Sequence, residues 1–216
     1  MTVEARLREQ LCVLAASLFS RGLTPGASGN ISARTEDGGL LVSPTGHSFG
    51  RLDPARLSRL DAKGRLLGGD PPTKEMPLHA AFYETRGQTG AVVHLHSTHA
   101  VALSMLPDTD PDNVLPPLTP YAIMRLGRVK LLPVFLPGDP AMGDAVRGLA
   151  GRHSAVLLAN HGPVVAAADP EAAVNAIEEL EETAKLVLLT RGLGPRLLTE
   201  SQVTAVVDRF NVEWDG

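Results

Sequence analysis

"GAVVHLHSTHAVALSML", residues 90–106, changes period half-way along. Its first half is an apolar run closed by His94 and His96, and GAVVHLHS reads as a buried strand. Its second half, STHAVALSML, reads as a helix. Side chains alternate faces along a strand, so His94 and His96 point the same way while Leu95 enters the opposite layer. Two imidazoles so placed can hold one zinc ion from a rigid backbone. They also fit two solvated histidines at a strand end. Three of the chain's seven histidines, His94, His96 and His99, crowd into this stretch.

Strand and helix alternate in both directions from here, which sets the class as α/β. Upstream, Val3, Leu7, Leu11, Leu14 and Leu18 repeat at helical spacing over residues 3–21. A glycine-rich loop, GLTPGASGN, leads into two short strands, NISAR and GLLVSPTG, joined by the turn TEDGG. LDPARLSRLD reads as a short helix or turn, followed by a strand pair around KGRLLGGD. PPTKEMPLHAAFYETRG predicts a helix begun near Thr73, with prolines at its start and Gly87 at its end. Downstream come a strand (VKLLPVFL), a helix (PAMGDAVRGLAG) and a strand–turn–strand unit (SAVLLANHGPVVAAA). A long helix follows, with Asp169 as N-cap and Pro170 next, then a short final one. Hairpin-like spacings near the N-terminus argue for a mixed or largely antiparallel sheet. The proline-rich stretch between Ser104 and Tyr121 lies inside this pattern, so the chain reads as a single domain over residues 1–216.

Composition narrows the function classes. The 216 residues are 44% hydrophobic and 20% charged, ordinary for a soluble globular protein. A net charge of −4 without a basic tract speaks against nucleic-acid and membrane-surface partners. No apolar run approaches the ~20 residues of a spanning helix. The N-terminus reads as an amphipathic helix, not a signal peptide. The single Cys12 forms no internal disulfide, which fits a cytoplasmic location.

Other candidate residues are ambiguous one at a time. His161 follows an apolar strand in the turn Asn160-His161-Gly162, and Gly162-Pro163 fixes a tight turn that presents a side chain at a strand end. By itself it is an ordinary turn histidine. Glu75 sits at a helix start, where a carboxylate commonly just favours the dipole. It is no partner in a Thr73 capping box, because position 76 is Met. His79 reads as a core or hydrogen-bonded histidine, and His99 as a packing or outer-shell residue.

Together, GASGNIS, SPTG, TKE before a helix, HLHS and NHGPVV, in that order over residues 5–190, resemble the class II aldolase/adducin family. The resemblance implies a three-layer α/β/α sandwich around a mixed, largely antiparallel sheet. It assigns His94, His96 and His161 to one zinc per chain, with manganese or cobalt as alternative ions. Glu75 becomes a fourth ligand that swings away to act as acid/base. The family's phosphate pocket maps onto Ser28, Gly29, Asn30, Thr45, Gly46, Thr73 and Lys74. Backbone N–H groups in glycine loops and small hydroxyls at a helix start suit an anion.

TPYAIMRLG, the Lys74-Glu75 pair, HLHST and EELEETAKL look most like the family's 3-oxo-tetronate 4-phosphate decarboxylases. That branch implies a phosphorylated sugar-acid substrate, loss of carbon dioxide through a metal-held enediolate, and dihydroxyacetone phosphate as product. A sugar-phosphate aldolase or epimerase forms the same intermediate and is the alternative. A non-catalytic adducin-like interaction domain is the second. The family's rings imply a homotetramer with the active site at a subunit boundary, where Tyr121 aligns with a tyrosine that protonates the reacting group from a neighbouring subunit. Arg125 is a weaker candidate for the substrate carboxylate, with a surface or interface salt bridge as its other reading.

Overall fold

The computed structural model describes residues 1–214. The expected domain 1–216 ends in Asp215 and Gly216, which lie outside the described residues. The strands are β1 (Asn30–Arg34), β2 (Leu40–Val42), β3 (Ser58–Leu60), β4 (Leu66–Gly68), β5 (Ala91–His94), β6 (Lys130–Leu132), β7 (Ala155–Leu158) and β8 (Gly162–Ala167). They form one sheet in the order β4-β3-β2-β1-β5-β8-β7-β6. Among the described residues, only β6 and β7 run parallel; the other neighbours are antiparallel. The mixed, largely antiparallel sheet is therefore as the sequence implies.

Helices α1 (Val3–Ser20), α2 (Met76–Thr85), α3 (Thr98–Ser104), α4 (Pro120–Leu126), α5 (Ala141–Gly148), α6 (Pro170–Thr190) and α7 (Glu200–Phe210) complete the described elements. Alternation along each strand separates two apolar layers. Ile31, Val93, Leu95, Leu157 and Val165 pack with Leu11 and Leu18 of α1, Leu103 of α3 and Ile177 of α6. Val92, Val156, Leu158 and Val164 face the other way, onto Leu78 and Phe82 of α2 and Val146 of α5. This is a three-layer α/β/α sandwich. No helix of the described residues is long and apolar enough to cross a membrane.

Several boundaries shift, each for a local reason. Helix α2 starts at Met76, not near Thr73, because Pro72 bridges to Pro44 and the Thr73 N–H donates to the Ser43 carbonyl. Residues 72–73 are thereby held as an extension of the sheet, and Glu75 becomes the N-cap residue. Strand β5 ends at His94, short of the expected HLHS, because its partner β1 begins at Asn30. Ser58–Leu60 is strand β3, and only Pro54–Arg56 of LDPARLSRLD is a 3₁₀ turn. Val3 is exposed, and the buried stripe of α1 is Leu11, Ala15 and Leu18. Helix α4 was not anticipated, although Thr119 caps it by accepting from the Ala122 N–H and Pro120 occupies its first position. The Asp169 cap of α6 forms as expected, accepting from the Ala172 N–H.

Candidate active site

The register of β1 against β5 sets Asn30 opposite His94. His94 shares the parity of Val92, so both side chains leave the sheet toward α2. His94 is fully buried, and its Nδ1–H donates to the Pro163 carbonyl at 2.9 Å. That bond fixes the tautomer and leaves Nε2 as a buried lone pair with no hydrogen-bond partner among the described residues. His96 lies beyond the ladder, yet its ring centroid is 4.9 Å from that of His94.

His161 arrives from the β7–β8 turn, where Asn160 is left-handed at φ 56°. Gly162 makes the approach possible: a Cβ there would stand 2.1 Å from the Leu95 carbonyl oxygen. The backbone after His94 thus passes directly against the turn, and His161 Nε2 lies 3.2 Å from His96 Nε2. Ligand atoms of His94, His96 and His161 all fall within 4.8 Å of one another.

Glu75 enters from the N-cap of α2. Its Oε1 is 3.3 Å from His161 Nε2 and its Oε2 is 3.4 Å from His94 Nε2. Asn30 Nδ2 donates to Oε2 at 2.7 Å. Burial works to raise the Glu75 carboxyl. The hydrogen bonds from His161 and from the Asn30 amide outweigh it and hold the group well below the usual carboxylate range. Burial pushes His94 down to about 3 and lowers His96 as well. Both imidazoles therefore stay neutral, the form that ligates metals. An unpartnered buried lone pair, two further imidazoles and a carboxylate touching two of the three form a donor set that fits one divalent ion.

Beside this cluster lies a cavity of about 190 Å³. Its walls include all seven residues of the expected phosphate pocket: Ser28, Gly29, Asn30, Thr45, Gly46, Thr73 and Lys74. Glu75, His96, Pro137 and Gly138 line it too. Gly29 has φ 80°, and a Cβ there would stand 2.9 Å from Thr24 Oγ1 and 3.0 Å from the His94 carbonyl oxygen. Only glycine fits a left-handed position this close to other backbone. Thr73 is buried and accepts from the Glu75 N–H, whereas Lys74 is exposed. A larger, mainly apolar cavity of about 620 Å³, which His96 and His161 also line, is bounded by Val101, Ala102, Met105 and Phe135.

The remaining candidates are elsewhere. Tyr121, in the first turn of α4, is 60% exposed and lines neither cavity. Arg125 is exposed on the last turn of the same helix. His99 pairs with Glu181, which also accepts from the His99 and Ala100 backbone N–H groups. His79 does not touch the cluster directly but bonds Asn30 from behind. That support was missed in the sequence, although Glu75, His79 and Tyr83 follow the i, i+4, i+8 spacing of one helix face.

The chain matches the model of the Class II Aldolase and Adducin N-terminal domain over residues 9–188. The chain belongs to the class II aldolase and adducin family. Among class II aldolase relatives, the 3-oxo-tetronate 4-phosphate decarboxylase of Escherichia coli K12 is 46% identical over 201 residues, covering 93% of this chain and 95% of the relative. The 5-deoxy-D-ribulose 1-phosphate aldolase of Bacillus thuringiensis is 31% identical, covering 94% of each chain. The crystal structure of YgbL from Escherichia coli superposes with a TM-score of 0.93 at 44% identity, covering 95% of this chain and 99% of that one. Membership of the class II aldolase family, with decarboxylase and aldolase relatives, makes this protein a metal-dependent lyase.

Proposed function

We propose that this enzyme removes carbon dioxide from 3-oxo-tetronate 4-phosphate and leaves dihydroxyacetone phosphate. The observation that carries the reading is the much greater likeness to a decarboxylase than to an aldolase over the same length of chain. The geometry agrees with it, because an anion-sized cavity opens directly onto the histidine–glutamate cluster.

In this reading the phosphate sits among Ser28, Gly29, Thr45, Gly46 and Thr73, with Lys74 supplying the counter-charge. That anchors one end of a four-carbon chain and brings its ketone to His94, His96, His161 and Glu75. We assign these four residues to one zinc ion per chain, which when bound supplies Lewis-acid pull on the ketone oxygen. The bond between the carboxylate carbon and C2 breaks, carbon dioxide leaves, and its electron pair stays on C2, delocalised toward the ketone. A proton must then reach C2. In this reading Glu75, once it leaves the metal and takes up a proton from solvent, delivers that proton to C2, with the Tyr121 hydroxyl of a neighbouring subunit as the second candidate donor. The test is kcat/KM for the keto acid phosphate beside fuculose 1-phosphate and ribulose 5-phosphate. The keto acid is expected to be preferred; clear preference for a sugar phosphate moves the assignment to an aldolase or epimerase. The assembled donor set favours either over a non-catalytic scaffold.

We further propose a cytoplasmic, single-domain homotetramer in which Tyr121 serves the adjacent active site. Its exposure on α4 and its absence from its own chain's cavities agree with this. Light scattering should give four chains per particle. Mixing inactive Tyr121→Phe and Glu75→Gln subunits, after exchange, should restore part of the activity. A monomer, or no recovery in exchanged mixtures, would remove Tyr121 from the reaction.

A further inference from the structure

Behind Glu75, four buried side chains form one line between β1 and α2, running from Asn30 in the wall of the smaller cavity back to Tyr83. Tyr83 OH lies 2.9 Å from Ser32 Oγ, and Ser32 Oγ lies 2.7 Å from His79 Nδ1. His79 Nε2 lies 2.5 Å from Asn30 Oδ1, and Asn30 Nδ2 lies 2.7 Å from Glu75 Oε2. The alternation of β1 turns Asn30 and Ser32 toward α2, and helical spacing stacks Glu75, His79 and Tyr83 against them.

The chemistry of the end group dictates the direction of every bond. An ionised carboxylate only accepts, so Asn30 must turn its NH₂ to Glu75 and its carbonyl to His79. His79 must then donate from Nε2, which leaves Nδ1 bare to accept the Ser32 hydroxyl proton. The Ser32 oxygen in turn accepts from Tyr83 O–H. No member has a free choice of tautomer or flip. Full burial holds His79 neutral, with its pKa pushed down to about 4.

We infer that His79 is a positioning residue for proton transfer, locking Asn30 in the orientation that aims its amide N–H at Glu75. The inference rests on Glu75 being the proton-transfer group. Ordinary packing would ask only for a side chain of the right volume; this role asks for a donor at the Nε2 position, held by an acceptor at Nδ1. Gln places an amide N–H near that Nε2 position, whereas Leu fills space without donating.

The experiment measures kcat and KM of His79→Leu, His79→Gln and Ser32→Ala, each alone and combined with Glu75→Gln, on whichever phosphate the wild type turns over best. Visible absorption of the cobalt-loaded proteins and thermal midpoints accompany the kinetics. His79→Leu and Ser32→Ala are expected to lose roughly tenfold or more in kcat, in line with loss of an outer-shell partner, with KM nearly unchanged. His79→Gln should recover most of that loss. The cobalt bands should move in His79→Leu and stay in His79→Gln. None of the three should slow Glu75→Gln further, because residues acting through one group are non-additive. If His79→Leu does not fold, Ser32→Ala and His79→Gln decide the matter, since neither opens a large cavity. Unchanged kcat in Ser32→Ala and His79→Leu beside a crippled Glu75→Gln overturns this inference alone. Losses that multiply in the Glu75→Gln background overturn it too. A fully active Glu75→Gln overturns the Glu75 reading, and this one with it.

Discussion

Glu75→Gln is expected to fold normally and to lose roughly 10²–10⁴-fold in kcat, the usual worth of a positioned acid or base. The substitution is close to isosteric. The Gln carbonyl still accepts from Asn30 Nδ2, so the bond now 2.7 Å long has a replacement. What disappears is the ability to hold a proton and return it. Gln is also a poorer ligand than a carboxylate, so rates must be compared at saturating zinc. The measurement is steady-state turnover, with the thermal midpoint as the control for folding. Activity near wild type at saturating metal would return Glu75 to a residue that merely starts α2.

His161→Ala is expected to lose the metal and nearly all turnover, and His96→Ala likewise. Each removes one of three imidazoles whose ligand atoms lie within 4.8 Å of one another. Loss of an outer partner alone costs roughly 10–100-fold in metal affinity, and a direct ligand should exceed that. Binding to the native state also stabilises it, by about 2.7 kcal/mol at a free concentration of 100 times Kd. A chelator should therefore lower the wild-type midpoint and leave that of His161→Ala unmoved. Elemental analysis checks the first part and calorimetry the second. Full metal occupancy in both variants would break the assignment.

Where the sequence was informative, period was the reason. The alternation in AVVHLH put His94 and Leu95 on opposite faces, and the structure keeps it past the last ladder bond, with Leu95 buried opposite α2. Asp169-Pro170 and TEDGG carried their own caps and turns. The site was less legible, because its members converge from five separate segments. Nothing near Asn160-His161-Gly162 says that Leu95 runs 2.1 Å from where a Gly162 Cβ would stand. That approach is a tertiary fact. The start of α2 was misread for a similar reason, since the hold of Ser43 on the Thr73 N–H joins residues thirty apart. The chain from Tyr83 to Asn30 was visible in principle. Spacing on α2 and alternation on β1 both pointed to it, but no local pattern pairs a given helix with a given strand. Lys74 and the other phosphate-cavity residues came from the resemblance, and the fold does bring them to one cavity.

One measurement bears most directly on the proposed reaction. Zinc-loaded enzyme is given 3-oxo-tetronate 4-phosphate in deuterated water, and carbon dioxide and dihydroxyacetone phosphate are counted against keto acid consumed. The account predicts one of each per substrate, with deuterium on the carbon that carried the carboxylate, and no such yield from Glu75→Gln. Keto acid left intact while fuculose 1-phosphate or ribulose 5-phosphate is turned over would contradict it.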